Sequence, residues 1–364
     1  MQTIILSTCG TSLLTNIAGN DRSLITRYAN VREFKDIPEN DRALLTSLIN
    51  EMRQRLLDST PEQTAELSAE LNGLLRYYQN RLDSSRDTHW LIATETCLGR
   101  ATADAIAKVL ERFRHQVQVR TIQDLRTNSL EEFRSAMTEL ARLCTEEVQG
   151  YRNSGWKVIF NLTGGFKSVQ GFMQALGMLY ADESVYVFER TDELLRLPRL
   201  PIRLDADRLV EEHQLILRRL TAKLPVSSTQ AKDVPDTLIM EIDNQVALSA
   251  WGEVIWAEAG RKLLEKRLWE PVDNKLRFGP SFEKSVDNYS GARKKIINER
   301  LAQLARHLDE PGYNPASLDF KKLQGKHEPW THECDAWSDQ DAKRIFGHFE
   351  NAIFVVDALD KGLH

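Results

Sequence analysis

Residues 158–168 read Val-Ile-Phe-Asn-Leu-Thr-Gly-Gly-Phe-Lys-Ser, and apolar residues at helical spacing follow directly: Val169, Phe172, Met173, Leu176, Met178 and Leu179. This stretch restricts the fold more than any other. It reads as a buried strand, a tight turn and a helix N-terminus. Such a junction offers unpaired backbone N–H groups and the positive end of a helix dipole to an anion. Gly164 and Gly165 admit positive φ angles and a close approach. Lys167 adds a cation, and Thr163 and Ser168 add hydroxyls. The pattern is that of a phosphate cradle. Its spacing is neither that of a P-loop nor that of the Rossmann glycine fingerprint, and an ordinary glycine turn between strand and helix has the same local pattern.

The N-terminal half repeats the theme. Thr3–Ser7 is a short β-branched run typical of a buried strand, followed by the small polar loop Thr8-Cys9-Gly10-Thr11-Ser12. Between 41 and 83 lie two apolar stripes at helical spacing, Leu44 to Leu56 and Leu67 to Leu82, separated by the stop-and-start signal Ser59-Thr60-Pro61. We read them as a helical hairpin packed on the core, with an outer face that offers an alternative role in docking a partner. Trp90–Ala93 is strand-like and ends at Thr94-Glu95-Thr96; a helix to Phe113, a strand over 117–122 and a long helix over 130–149 follow. Strand alternating with helix means an α/β domain with a largely parallel sheet, in which ligands sit beyond the carboxyl ends of the strands. Three small polar turns fall at such ends, and together they suit an anionic, hydroxyl-rich ligand such as a nucleotide.

Composition removes several classes. A net charge of -5 gives no global nucleic-acid signal, so any RNA contact must be local. Cys9, Cys97, Cys144 and Cys334 form no C-x-x-C pair, which points to reduced thiols in a cytoplasmic protein without structural zinc. No apolar run approaches the length of a membrane span, and no signal peptide is evident.

Beyond residue 190 the pattern changes. Residues 195–204 look extended because Pro198 and Pro201 exclude a helix interior. A helix over 206–224, a linker over 225–235, a strand over 238–242 and a helix from Ser249 to about Trp269 make a connecting helical module, 201–272. From 273 the order is a short strand (275–278), two helices (280–289 and 291–308) and strand-like runs at 330–337, 342–350 and 352–359.

The strand with Ser7-Thr8-Cys9-Gly10-Thr11-Ser12, together with Asn161-Leu-Thr-Gly-Gly-Phe-Lys167, resembles the CARF sensor domains of type III CRISPR accessory proteins. The resemblance covers residues 1–200, with 41–83 as a helical insertion. It implies a Rossmann-like α/β domain that forms a homodimer and binds a cyclic oligoadenylate between two copies of these loops. Thr8, Gly10, Thr11, Ser12 and Thr94 would then line one side of the pocket, and Asn161, Thr163, Gly164, Gly165, Lys167 and Ser168 the other. A two-fold axis suits an even-membered ring, and cyclic tetra-adenylate is the expected activator.

Residues 273–364 resemble the RelE/ParE-like toxin fold, an α+β domain with an antiparallel sheet. The resemblance rests on Phe320-Lys-Lys-Leu-Gln-Gly325, Arg344-Ile-Phe-Gly-His-Phe349 and the last strand running into Lys361-Gly-Leu-His364. It implies a metal-independent endoribonuclease that cuts mRNA, in ribosomes, within type III CRISPR antiviral defence. Such cleavage needs a base for the 2′-OH proton, an acid for the leaving 5′-oxygen and cations for the phosphorane-like charge. Arg344 matches the family's active-site arginine, Lys361 its later basic residue, and His364 falls near its terminal acid/base position. On a strand Arg344, Phe346 and His348 point one way, so Phe346 would stack a base between a cation and an imidazole. The family's paired lysines are replaced by Thr331 and Glu333 around His332, which leaves the base open; His332 is the first choice because imidazole titrates near neutral pH. Lys321, Lys322 and the basic helix segment Arg293-Lys294-Lys295 are expected RNA or ribosome contacts.

Two other assignments of the C-terminal half stay open on sequence. Arg300 and His307 form an R-x6-H pair, the spacing of all-helical HEPN ribonucleases. The chain also fits a ligand-gated nucleic-acid-binding regulator without catalysis, and a messenger-degrading activity at the sensor pocket is compatible with either.

Overall fold

In the computed structural model, residues 2–126, 129–188, 193–202, 204–242 and 245–362 are described here. They divide into two compact units, Met1–Arg203 and Leu204–His364.

In the first unit the elements run β1 (Thr3–Thr8), α1 (Ser12–Ile17), α2 (Arg22–Tyr28), α3 (Glu39–Asp58), α4 (Pro61–Leu67), α5 (Ala69–Tyr77), β2 (Thr88–Thr94), α6 (Cys97–Arg112) and β3 (Gln116–Ile122). There follow α7 (Leu130–Arg142), α8 (Gln149–Asn153), β4 (Lys157–Asn161), α9 (Lys167–Tyr180), β5 (Glu183–Val187) and β6 (Leu194–Pro198). The sheet order is β3-β2-β1-β4-β5-β6, with every neighbouring pair parallel except β5–β6. Strand β1 is buried along its whole length, as a central parallel strand covered on both faces must be. Chain order runs outward from β1 in both directions, so the sheet reverses between β1 and β4, and the loops after these two strands flank that point.

The 41–83 stripes fold as expected against the core, burying Leu45, Leu48, Ile49, Met52 and Leu56 on α3 and Leu71, Leu74 and Leu75 on α5. Three helices form rather than two. Pro61 sits at the first helical position, Thr60 and Gln63 make a reciprocal capping box, and Ser68 caps α5 afresh. Helices α1 and α2 were not anticipated; they are six and seven residues long, too short to show a periodicity. The long helix expected over 130–149 is interrupted by a π-helical segment, Leu143–Val148, between α7 and α8.

The second unit contains α10 (Ala206–Glu212), α11 (Gln214–Thr221), the two-stranded ribbon β7 (Ile239–Ile242) with β8 (Gln245–Leu248), and α12 (Ala250–Lys266). It continues through β9 (Leu276–Phe278), α13 (Phe282–Val286), α14 (Gly291–Asp309), β10 (Lys321–His327), β11 (Trp330–Trp337), β12 (Lys343–Glu350) and β13 (Ile353–Asp360). The sheet order is β10-β11-β12-β13-β9, antiparallel except that β9 runs parallel to β13. Strand, two helices and an antiparallel meander appear in the expected order, so this segment is not all-helical and the HEPN assignment falls. Arg300 and His307, which suggested it, serve the local packing: Arg300 Nε donates to the Ala336 carbonyl at 3.3 Å, and His307 Nδ1 lies 2.8 Å from the Tyr313 carbonyl. Strand β10 escaped the sequence reading because Lys-Lys-Leu-Gln-Gly-Lys-His has little apolar content, as suits an edge strand that must not recruit another chain.

One face of this sheet packs on α14 through Cys334, Ala336, Ile345, Phe354, Val356 and Leu359. Asn298 ties α14 to the preceding module: its Nδ2 donates to the carbonyls of Leu264 and Arg267, both at 2.9 Å, and its Oδ1 accepts the Trp269 amide at 3.0 Å. Among the described residues no helix is long and apolar enough to cross a membrane.

Candidate ligand and catalytic sites

The loops after β1 and β4 meet. Thr8 Oγ1 donates to the Gly164 carbonyl at 2.5 Å, and the backbones of Gly10 and Gly165 approach so closely that a Cβ on Gly10 would lie 3.3 Å from Gly165 Cα. Gly165 has φ +97°, and a Cβ there would come within 2.9 Å of the Thr8 side chain. At Gly165 both conditions require glycine, whereas a methyl on Gly10 would only force the facing loop to yield by a few tenths of an ångström.

Beneath the contact lies a residue that sequence reasoning missed. Glu70, at the start of α5, is fully buried. Its Oε1 accepts the Gly10 amide at 3.0 Å and its Oε2 accepts the Ser68 hydroxyl at 2.7 Å. A Cβ on Gly164 would fall 2.3 Å from its carboxyl oxygen. Burial raises the Glu70 pKa, with the bonds from Gly10 and Ser68 opposing the shift. Helical spacing of three and four residues places Glu70 with Gly73 and Leu74 on the inward face of α5.

Asn161 is also fully buried. Its Nδ2 donates to Ser7 Oγ at 3.2 Å and to the Glu70 carbonyl at 3.0 Å, while its Oδ1 accepts the Thr163 hydroxyl at 2.9 Å. Thr163 Oγ1 in turn accepts the Val187 amide at 3.2 Å, and Gln170 Nε2 holds the carbonyls of Leu162 and Gly164 at 3.0 and 2.9 Å. Thr8, Gly10, Gly164 and Asn161 are therefore buried residues that set the shape of the loops, whereas Thr11, Ser12, Thr163, Gly165, Lys167 and Ser168 have solvent-accessible surface. The first turn of the 14-residue helix α9 has no side-chain cap, which leaves the Lys167 and Ser168 amides without an intrahelical partner beside the exposed Lys167 side chain. Thr94 is buried: its hydroxyl meets Thr96 Oγ1 at 2.9 Å, under the N-terminus of α6, where a Cβ on Gly99 would strike it.

In the second unit Arg344, on β12, faces β11. Its Nη1 donates to Glu333 Oε1 at 2.5 Å and its Nη2 lies 3.2 Å from Asp335 Oδ1. The Glu333 side chain is 2% exposed, and its Oε2 has no hydrogen-bond partner among the described residues. Register explains the grouping: Asp335 pairs with Arg344 and Glu333 with Phe346, so all four share one face. His348 lies on that face too. Its Nδ1 sits 2.6 Å from Asp357 Oδ2 and its Nε2 3.2 Å from Glu350 Oε1. The Asp357 hydrogen bond raises the His348 pKa against the effect of burial, and Glu350 adds to the rise.

Two expectations need correcting. Phe346 does point with Arg344 and His348, but it is fully buried and stacked on Trp330 at 4.8 Å, so it presents no ring to a base. His332 pairs with Gly347 and so projects from the opposite face to Arg344. There it stacks on Phe320 at 5.2 Å and meets Phe349 edge-on at 5.1 Å. Burial, then the charge of Lys322, lowers its pKa. The strand period of two separates these residues. The carboxylate beside Arg344 is Glu333, which adjacent-strand pairing would have revealed had the register been known.

Lys361 is exposed at the end of β13, and the backbone at Gly362 passes close to Arg344, where a Cβ would lie 3.6 Å from its Nε. His364 lies outside the described residues. Lys321 pairs with Asp319, and Lys322 is exposed opposite His332. Arg293 lies over the Trp337 ring at 4.4 Å and pairs with Asp339, and Lys295 pairs with Glu299 at 3.2 Å. Lys294, between them, is half-buried. The basic segment is thus partly engaged within the fold. Among the described residues no cluster of three or more His, Cys, Asp or Glu side chains is placed to hold a metal ion.

A doubly wound parallel sheet with two glycine-bearing loops meeting at its reversal point defines an α/β unit of the kind in which ligands sit beyond the strand ends. Residues 65–200 match a family model described as CRISPR-associated protein (Cas_APE2256), so that stretch is similar to a CRISPR-associated family. The match takes in Ser68, Glu70 and the loop 161–168, while Thr8–Ser12 lies before it. A search of curated proteins returned no match.

Proposed function

We propose that the chain is a ligand-gated endoribonuclease of type III CRISPR defence, in which the first unit senses a cyclic oligoadenylate and the second cuts mRNA at the ribosome. The observation that carries the sensor half is the contact of the β1 and β4 loops, Thr8 to Gly164, within a unit similar over 65–200 to a CRISPR-associated family. Thr11, Lys167 and Ser168 then face the messenger's phosphates and hydroxyls, with Ser12 and Thr163 shaping the loops behind them, since the Ser12 hydroxyl is buried and that of Thr163 is taken by Asn161 and Val187; a homodimer places two such surfaces around one ring, cyclic tetra-adenylate.

The catalytic half rests on the Arg344 face. In the proposed reaction a carboxylate or imidazole takes the 2′-OH proton and the 2′-oxygen attacks phosphorus. The 5′-oxygen leaves with a proton from a general acid, the role the resemblance gives to His364, and a 2′,3′-cyclic phosphate remains. Arg344 would neutralise the phosphorane, with Glu333 or His348 as base and Lys361 as a further cation. Arg344 is tied to Glu333 and Asp335 here, so binding RNA requires a phosphate to replace a carboxylate. The same ion pairs favour a second reading, a ligand-gated regulator without catalysis, because a neutralised arginine leaves that face acidic.

The test is purified protein with translating ribosomes, with and without cyclic tetra-adenylate. Ligand-dependent mRNA cleavage that Lys167→Ala abolishes supports the proposal. Equal cleavage of naked RNA would remove the ribosome, and no cleavage under any condition would leave the regulator.

A further inference from the structure

A polar cleft of about 440 Å³ opens in the second unit between α11, α12 and α14. Four cationic side chains line it, Arg218, Lys223, Arg300 and Arg306, against one carboxylate, Glu299, which Lys295 already pairs at 3.2 Å. We infer that this cleft binds a nucleoside phosphate of mononucleotide size, with its phosphate held by the arginines.

Arg218 carries the argument. It is 3% exposed, yet its guanidinium donates only to neutral oxygens, Gln214 Oε1 at 3.0 Å and the Glu270 carbonyl at 2.9 Å. Its chain neighbour Arg219 is paired with Asp273 at 3.3 Å. A buried cation held by no direct ion pair is costly: burial pulls the Arg218 pKa down to about 10, and the charge of Glu270 opposes that shift only in part. Arg300 repeats the pattern, bound to the Ala336 carbonyl and to Gln303 Oε1 at 2.7 Å. Arg306 lies over the Tyr313 ring, 3.9 Å from its centroid, and pairs at 3.3 Å with Glu310, which is largely exposed. Planar guanidinium groups fixed in this way match the oxygens of a phosphate two at a time.

Size selects the class of ligand. Pockets for small molecules span roughly 300–1,000 Å³, and this cleft is far larger than a bare phosphate requires. Trp256 and Tyr313 add aromatic surface for a base. The walls come from the helices before the sheet and from α14, which backs the sheet, so an occupant would bridge them. The inference stands independently of the messenger reading, since no residue of the first unit takes part.

Titration calorimetry of the full chain with AMP, ADP, inorganic phosphate and adenosine tests it. The expected result is saturable binding of AMP or ADP, with adenosine at least tenfold weaker. Lys223→Gln and Arg306→Gln, both at the cleft rim, should each weaken binding about tenfold, while Lys108→Gln, at an exposed position of the other unit, leaves it unchanged. No saturable nucleotide binding, binding of inorganic phosphate alone, or binding indifferent to both rim variants would overturn the inference. So would binding lost in Lys167→Ala, which would assign the nucleotide to the loops of the first unit.

Discussion

Glu70 accepts the backbone N–H of Gly10 at 3.0 Å while wholly shielded from solvent, so a carboxylate occupies a loop whose sequence suggested a seat for an anion. The helical insertion is thereby part of the candidate site and not only a cover for the core. It supplies Glu70 and Ser68, and through them it fixes the position of the β1 loop relative to the β4 loop.

Because burial raises the Glu70 pKa, the folded state holds that proton more tightly than the unfolded chain. Stability from this group is therefore fully present below the unfolded value, about 4.3, and declines as pH rises through the folded one. Glu70→Gln keeps an acceptor for Gly10 and removes the titration. Its melting temperature should match the parent's near pH 4 and exceed it at pH 7.5. A difference independent of pH would show that the carboxyl does not titrate in this window.

Gly164 and Gly165 should fail for different reasons. A methyl on Gly164 meets the Glu70 carboxyl at 2.3 Å, whereas one on Gly165 meets Thr8 at 2.9 Å from a backbone at φ +97°. Gly165→Ala is expected to cost about 1–3 kcal/mol from strain in the left-handed region alone. Gly164→Ala combined with Glu70→Ala should recover stability relative to Gly164→Ala, because the clash is with that side chain. Chemical denaturation of Gly165→Ala, Gly164→Ala, Glu70→Ala and the double variant measures both; a Glu70→Ala background that brings no relief would refute the assigned contact.

What could be read from the sequence follows from period and position. The strands β1, β2 and β4 are short apolar runs, and Thr60 and Pro61 mark a helix start in any context, so the α/β layout and the insertion were legible. The Gly10–Gly165 approach was legible in kind, since small residues end two strands of one sheet. Glu70 was not, because a lone glutamate beside a leucine stripe reads as a solvated edge until the facing loop is known. In the second unit the strands β11–β13 were found within a residue, but register was not available. Without it His332 and Arg344 looked like neighbours, although pairing with Gly347 sends His332 to the other face.

Arg344 and Glu333 should be inseparable in stability and separable in function. Arg344→Ala leaves a carboxylate that is 2% exposed without its main cation, which is expected to cost about 3–5 kcal/mol. Glu333→Gln in the same chain removes the stranded charge and should restore most of that loss. If Arg344 also contacts the scissile phosphate, the double variant will be folded and inactive. A double variant as unstable as Arg344→Ala alone would show that Asp335 is the dominant partner. A folded and fully active one would remove Arg344 from the chemistry.

His348 gives the Arg344 face its pH dependence. Asp357 at 2.6 Å and Glu350 at 3.2 Å hold its pKa above the usual imidazole value. Stability from these pairs is fully present below the unfolded value of about 6.5 and is lost as pH rises through the raised one. Asp357→Asn removes the larger cause, so the His348 proton resonances should titrate at lower pH than in the parent, with Glu350→Gln producing a smaller displacement. If His348 moves a proton during cleavage, the corresponding limb of the pH–rate profile must shift in the same direction in Asp357→Asn. A titration that moves while the rate profile stays fixed would confine His348 to a structural ion pair and leave proton transfer to Glu333.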